Sequence, residues 1–233
     1  MRAKLYKCLV YSAAMAVLQV QALCPEPGEF SAVDLSQPVD QGFLNKMREL
    51  EVRTIIRYYD HIPETIRGKT LKRSERRLIA QNGFDLLIVF QHRSARIGSF
   101  TSERGQLDAQ RSLELAEAMG QPARSAIYFA VDNNWNRPSD LRKIKTYFYE
   151  AGLRVRAAGY KIGGYGSGLV CDQLLNEGLV EYCWLSNASR WYGHDDFFES
   201  GRWSLKQYSP RFCAGRDVDF NIINTSIRDI GQF

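Results

Sequence analysis

Two periodicities take turns along this chain, one of two residues and one near 3.6, and their succession predicts the elements. The clearest stretch is 125–134, SAIYFAVDNN, where Ile127, Phe129 and Val131 alternate with Tyr128 and Ala130 in a run almost free of polar side chains. Such a run reads as a strand buried on both faces, the habit of a parallel sheet. It stops on Asp132, and the loop residues from Asn133 to Pro138 follow at once. Further apolar runs predict strands over 30–34, 54–60, 84–92, 157–165, 181–187, 203–208 and 217–220. Helical spacing of apolar residues predicts helices over 38–51, 74–82 (capped by Ser74), 105–119, 138–151 (stopped by Gly152) and 169–176. Residues 94–104 read as a polar loop.

Strand alternating with helix implies βαβ crossovers and a parallel sheet. Eight strands suit a single closed TIM-like (β/α)8 barrel better than an open sheet. The short, non-helical connections at the end predict irregularity in the last strands. In such a barrel the strand ends face one mouth, where catalytic groups are kept. Asp34, Asp132 and Asp219 each stand at or next to a predicted strand end, so three carboxylates far apart in sequence are expected to converge there. Tyr58, Gln91, Tyr165 and Gln207 end other strands and are candidate substrate-binding residues. Carboxylates ringed by aromatic and amide side chains suit a sugar, with rings stacking on pyranose faces and amides binding hydroxyls.

Composition narrows the picture. Residues 1–22 combine Arg2, Lys4 and Lys7 with an apolar segment from Cys8 to Leu18 and small residues at Val20 and Ala22, the form of a secretory signal peptide. The segment is too short for the roughly 20 residues of a membrane span. The expected product is an exported 23–233 domain, periplasmic or extracellular, with no stable membrane anchor. Removing the signal takes three basic residues and no acidic ones, leaving 28 Lys and Arg against 26 Asp and Glu. Nothing in that scattered charge calls for nucleic acid. A monomer is expected.

Cys24, Cys171, Cys183 and Cys213 remain, an even number that allows two disulfides in an oxidising compartment. Three connectivities are open, Cys171–Cys183 being favoured as a link between neighbouring elements, and free buried thiols are the alternative. The glycine-rich 163–168 stretch fits neither a dinucleotide fingerprint nor a P-loop, and it also fails the serine nucleophile elbow. His61, His92 and His194 lack ligand spacing, so no metal and no cofactor are called for.

The order VDLS (33–36), IIRYYD (55–60), GQLDAQRSLELAEAMGQP (105–122), AIYFAVD (126–132), GGYGSG (163–168), LKQY (205–208) and DVDFN (217–221) resembles the glycoside-hydrolase-like family known as domain of unknown function 1906, a relative of the family 25 lysozymes. The resemblance spans about residues 30–222. It implies a TIM-like barrel with an acidic pocket and a cell-wall glycan such as peptidoglycan as substrate. By that resemblance Asp34 looks like the lysozymes' first-strand aspartate, Asp132 like the first carboxylate of their D-x-E pair, and Asp219 like the aspartate near the last strand. Asn134 stands where the lysozymes keep the glutamate that acts as general acid, and an amide cannot donate that proton.

Two functions follow. One is a glycoside hydrolase with Asp132 as the central carboxylate, assisted by Asp34 and Asp219. The other is a carbohydrate-binding protein on the same barrel, without turnover. Asp132 is the first candidate for the acid, with Asp108 as a replacement if it reaches the mouth; capping a turn or stabilising a helix start are their competing roles. Arg57 would pair with a pocket carboxylate or touch substrate, unless its strand end faces the surface. Asn134 completes the substrate-binding candidates.

Overall fold

A computed structural model describes residues 24–227 and 229–233. The expected signal peptide, residues 1–22, lies outside the described residues. In chain order the elements are β1 (Ala32–Asp34), α1 (Gln41–Glu49), β2 (Thr54–Tyr59), α2 (Arg73–Gln81), β3 (Asp85–Phe90), α3 (Ser102–Met119), β4 (Ala126–Ala130), α4 (Pro138–Ala157), β5 (Lys161–Gly166), α5 (Gly168–Asn176), β6 (Tyr182–Leu185), α6 (His194–Glu199), β7 (Leu205–Gln207), β8 (Arg211–Cys213) and β9 (Arg216–Ile223).

Strands β1 to β7 run parallel, each bonded to the next, and β9 closes the ring antiparallel to both β7 and β1. The β8 strand pairs with β9 alone, as a hairpin. The outcome is a closed, mixed, eight-stranded barrel of irregular TIM-like form. Its irregularity has a simple cause. Parallel strands need a crossover of a dozen or more residues, and the few residues between β7 and β9 can only turn the chain back.

Period-two alternation sorts the strand residues into two layers. Ile56, Tyr58, Leu87, Val89, Tyr128, Ala130, Trp184 and Leu205 fill the barrel interior. Ile55, Tyr59, Ile88, Phe90, Ile127, Phe129 and Ile162 face the helices, against Phe43, Ile79, Ala109 and Phe148. Gly163 of β5 makes room for the interior Tyr128 ring, since a Cβ there would lie 2.5 Å from Tyr128 Cδ1. The bottom of the barrel is covered by residues 230–233. Gly231 O accepts from Ala126 N at 2.8 Å, Ile230 O from Tyr128 Oη at 2.9 Å, and Phe233 exchanges both backbone bonds with Leu86. The interior is therefore open at the mouth.

Several boundaries differ from expectation. Helix α2 starts one residue early, with Lys72 at its N-cap and no side-chain bond there, so Ser74 is not its cap. Gly152 does not stop α4, because buried Ala151 and Val155 continue the apolar stripe and outweigh the roughly 1 kcal/mol that a helical glycine costs. Thr101 caps α3, whose first turn reads as loop because it is polar, and α6 is hidden in a polar stretch for the same reason.

Two disulfides join the four described cysteines, Cys171–Cys183 and Cys24–Cys213. The first links α5 to the neighbouring β6 across 12 positions. Loop-closure entropy assigns such a bond about 3 kcal/mol. Replacing both Cys171 and Cys183 by Ala should lower the denaturation midpoint accordingly, as read from urea melts of the oxidised protein and the variant.

Candidate active site

The cavity at the mouth, roughly 290 Å³, is lined by Asp34, Ser36, Tyr58, Lys69, Gln91, Asp132, Tyr165, Trp184, Asn187, Gln207 and Asp219, with Val89 and Ala130 at its floor. Asp34 ends β1 and Asp132 lies two residues past β4, as the strand-end rule requires. Asp219 arrives by another route. It sits within antiparallel β9, in register with Asp34, so the reversed strand enters at the mouth and carries its early residues there.

The three carboxylates differ in surroundings. Asp34 is fully buried, yet its Oδ1 accepts from Tyr58 Oη at 2.6 Å and its Oδ2 from Gln207 Nε2 at 3.0 Å and Asn221 Nδ2 at 2.8 Å. Burial raises its pKa, and those donors oppose the rise by favouring the carboxylate. Among the described residues Asp219 has no comparable set of donors. Burial first, and the charge of Asp34 next, push its pKa up to about 7. Within this pair the proton rests on Asp219, because Asp34 already has both oxygens occupied by donors. Burial also raises Asp132, opposed by Lys69 and by a hydrogen bond from Gln91 Nε2 at 3.1 Å. Tyr58 and Tyr165 are pushed well above the usual phenol range by burial, so they stay neutral and able to donate. Tyr165 Oη donates to Gln207 Oε1 at 2.8 Å, which orients the Gln207 amide toward Asp34.

Three sequence candidates do not reach the cavity. Arg57 lies between outward-facing Ile55 and Tyr59 on β2, is wholly buried, and pairs with Glu75 of α2 at 2.6 Å while donating to Leu35 O. Asp108 is turned into the α3–α4 contact, where Tyr147 Oη reaches it at 2.9 Å and His61 Nε2 at 2.7 Å. Asn134 Oδ1 accepts from Tyr192 N at 2.8 Å, joining the loop after β4 to the loop after β6. An acid at position 134 would therefore start outside the cavity, and Asp108 does not replace it.

Lys69 is a pocket residue that sequence reasoning missed. It stands in a loop held by Asp60, whose carboxylate accepts from His61 N at 2.7 Å and Thr65 N at 2.6 Å, and by a return bond from Leu71 N to Tyr58 O at 2.9 Å. Its Nζ lies 3.7 Å from the centroid of the Tyr58 ring and donates to Gln91 Oε1. Since an ammonium only donates, that contact fixes the Gln91 amide and directs its Nε2 to Asp132. Burial pushes the Lys69 pKa down to about 8, opposed by Asp34, Asp132 and Asp60. Trp184 was missed too, although its place on β6 opposite Tyr165 follows from strand alternation.

Comparison with known proteins agrees with this architecture. YbfG of Bacillus subtilis, an uncharacterised protein, is 25% identical over 218 residues, covering 87% of this chain and 30% of YbfG. This chain thus spans about a third of that relative. Among solved structures, the Tat-secreted protein Rv2525c of Mycobacterium tuberculosis is 22% identical, with a TM-score of 0.69 over 87% of this chain and 98% of its own. The modular autolysin LytC of Streptococcus pneumoniae, also solved with a synthetic peptidoglycan ligand, is 15% identical, with a TM-score of 0.54 over 82% of this chain and 46% of its own. At such identities these structures speak for the fold alone. The model of the Rv2525c-like, glycoside hydrolase-like domain matches residues 45–220, three quarters of the sequence. The chain belongs to the Rv2525c-like, glycoside hydrolase-like domain family.

Proposed function

We propose that this protein is an exported glycoside hydrolase acting on peptidoglycan or a related amino-sugar glycan of the cell wall. The observation behind it is the unequal surroundings of three carboxylates, Asp34 with three donors, Asp132 with one and Asp219 with burial pushing its pKa up to about 7, in one cavity with Tyr58, Tyr165, Trp184 and three amides. Separation of acid from base by environment is how paired carboxylates divide the work of glycoside cleavage. Asp219, whose pKa is pushed up to about 7, takes the acid's role first sought at Asp132: it gives its proton to the leaving glycosidic oxygen as that C–O bond breaks, and water adds to the anomeric carbon of the sugar. Asp34, held by Tyr58, Gln207 and Asn221, and Asp132, held by Gln91, are placed to stabilise the positive charge that grows on the sugar ring. The phenols and amides bind hydroxyl and acetamido groups. LytC's complex with a synthetic peptidoglycan ligand supports the choice of glycan. Export is supported by the two disulfides, which persist in oxidising compartments. No described helix is long and apolar enough to cross a membrane.

The test is mass spectrometry of soluble products after incubation with purified peptidoglycan. Wild type should release muropeptides, and Asp132→Asn, which removes a charge facing the developing cation, should slow release by about 10²-fold. Wild type that binds the glycan but releases nothing would sink the hydrolase and leave a carbohydrate-binding protein, the reading that the amide at position 134 favours.

A further inference from the structure

Lys69 is poorly explained by the protein around it. Its side chain is 5% exposed and lines the cavity, yet among the described residues no carboxylate comes within 4.0 Å of its ammonium. Three aspartates share that cavity, and two of them turn to other donors. Asp34 takes Tyr58, Gln207 and Asn221, and Asp132 takes Gln91. Of the three N–H groups on Lys69, one goes to the neutral Gln91 Oε1, while the Tyr58 ring covers one side of the ammonium. A buried cation without a contacting counter-ion is costly. The loop nonetheless holds Lys69 firmly through Asp60 and the Leu71–Tyr58 bond.

We propose that Lys69 is a specificity-determining residue that binds a carboxylate carried by a sugar ring, so that the pocket selects acidic saccharides over neutral ones. This rests on the sugar-binding assignment above and adds the charge of the ligand. A carboxylate at Lys69 would fill the unused N–H positions with charge-assisted hydrogen bonds. The aspartates strengthen the selection of pose. They repel a ligand carboxylate elsewhere in the cavity, so the acidic edge of the ring is fixed against Lys69 and the opposite edge is turned toward the aspartates. Two sources present this chemistry, a hexuronic acid and a muramic acid whose lactyl carboxyl is free of peptide.

Calorimetric titration of the oxidised protein decides the matter. The probes are an oligogalacturonate, its methyl ester, a peptide-free N-acetylglucosamine–muramic acid oligosaccharide and a neutral chitooligosaccharide. The ester keeps the shape and removes the charge, so the comparison works in wild type without any mutation. Acid should bind about ten- to a hundredfold more tightly than ester, the scale of a hydrogen bond to a charged group. Lys69→Gln should close that gap, and Lys69→Arg should retain most of it. Galacturonate outranking the muramic probe assigns hexuronate as the source, and the reverse order assigns muramic acid. Equal binding of acid and ester, or a gap that survives in Lys69→Gln, overturns the assignment to Lys69 and leaves the sugar site standing. Failure of every saccharide to bind overturns both.

Discussion

Asp219→Asn should cut glycan release by at least ~10²-fold, while making the protein more stable than wild type above pH 7. The first effect follows from removing the proton that the leaving oxygen needs, at the lower end of what general acid catalysis contributes. The second follows from the same buried carboxyl. Its pKa rises from 3.8 to about 7 on folding, so the folded state favours the protonated form. That preference is fully present below the ordinary carboxylate pKa and is lost progressively as pH climbs from there through about 7. At pH 8 the ionised Asp219 would cost the fold about 2–4 kcal/mol, the linkage value of a shift of this size. An amide of the same shape does not ionise and escapes that cost. Melting the two proteins at pH 4 and pH 8 checks it, since the gap between the curves should be small at the lower pH and widen as pH rises. Wild-type activity should fall as pH rises past 7. A variant with full activity, or one that gains nothing at pH 8, would remove Asp219 from the acid's role.

Arg57→Met should be the most damaging single change outside the cavity. Arg57 is fully buried, and its Nε meets Glu75 Oε1 at 2.6 Å, while the same carboxylate oxygen accepts from Val39 N at 2.9 Å. Removing the guanidinium leaves a buried carboxylate without its cation, a loss of about 3–5 kcal/mol. Leu35 O, one residue past Asp34, loses its donor at the same time. Urea midpoints measure the effect. The double variant Arg57→Met with Glu75→Leu should recover much of the loss, because exchanging a whole buried pair for apolar groups is often close to neutral. If the single and double variants are equally unstable, the pair is not what holds this region.

The barrel was readable because its strands are buried on both faces, which writes each of them as a nearly continuous apolar run. The same rule of alternation contained a warning about Arg57. Tyr58 and Arg57 are adjacent on β2 and cannot both face the mouth, and the large interior of the barrel claimed the aromatic ring. Asp219 was correctly placed at the mouth for an incorrect reason, since apolar periodicity carries no sign of strand direction and the reversal of β9 depends on the short connection before it. Lys69 gave no signal at all. It lies among Arg67, Lys72 and Arg73, and only the folded loop separates the one buried cation from its exposed neighbours. Asp108 is a candidate for its place near the start of a helix beside the mouth and Asn134 for its match to the lysozymes' glutamate position, whereas α3–α4 packing and a loop-to-loop bond occupy their side chains.

The Cys24–Cys213 bond has a mechanical consequence. It closes a covalent ring of 189 positions that holds β1 to β7 and every helix, with β9 and the barrel's basal seal outside. Tension applied between the N-terminal side of Cys24 and Phe233 bypasses that ring through the sulfurs. About 20 residues can then be drawn out, roughly 70 Å of chain, against some 700 Å once the bond is reduced. The first element to peel is β9, which takes Asp219 away from Asp34. Under load the protein would lose its acid long before it lost its fold, and on release the intact ring would guide β9 back to the same seam.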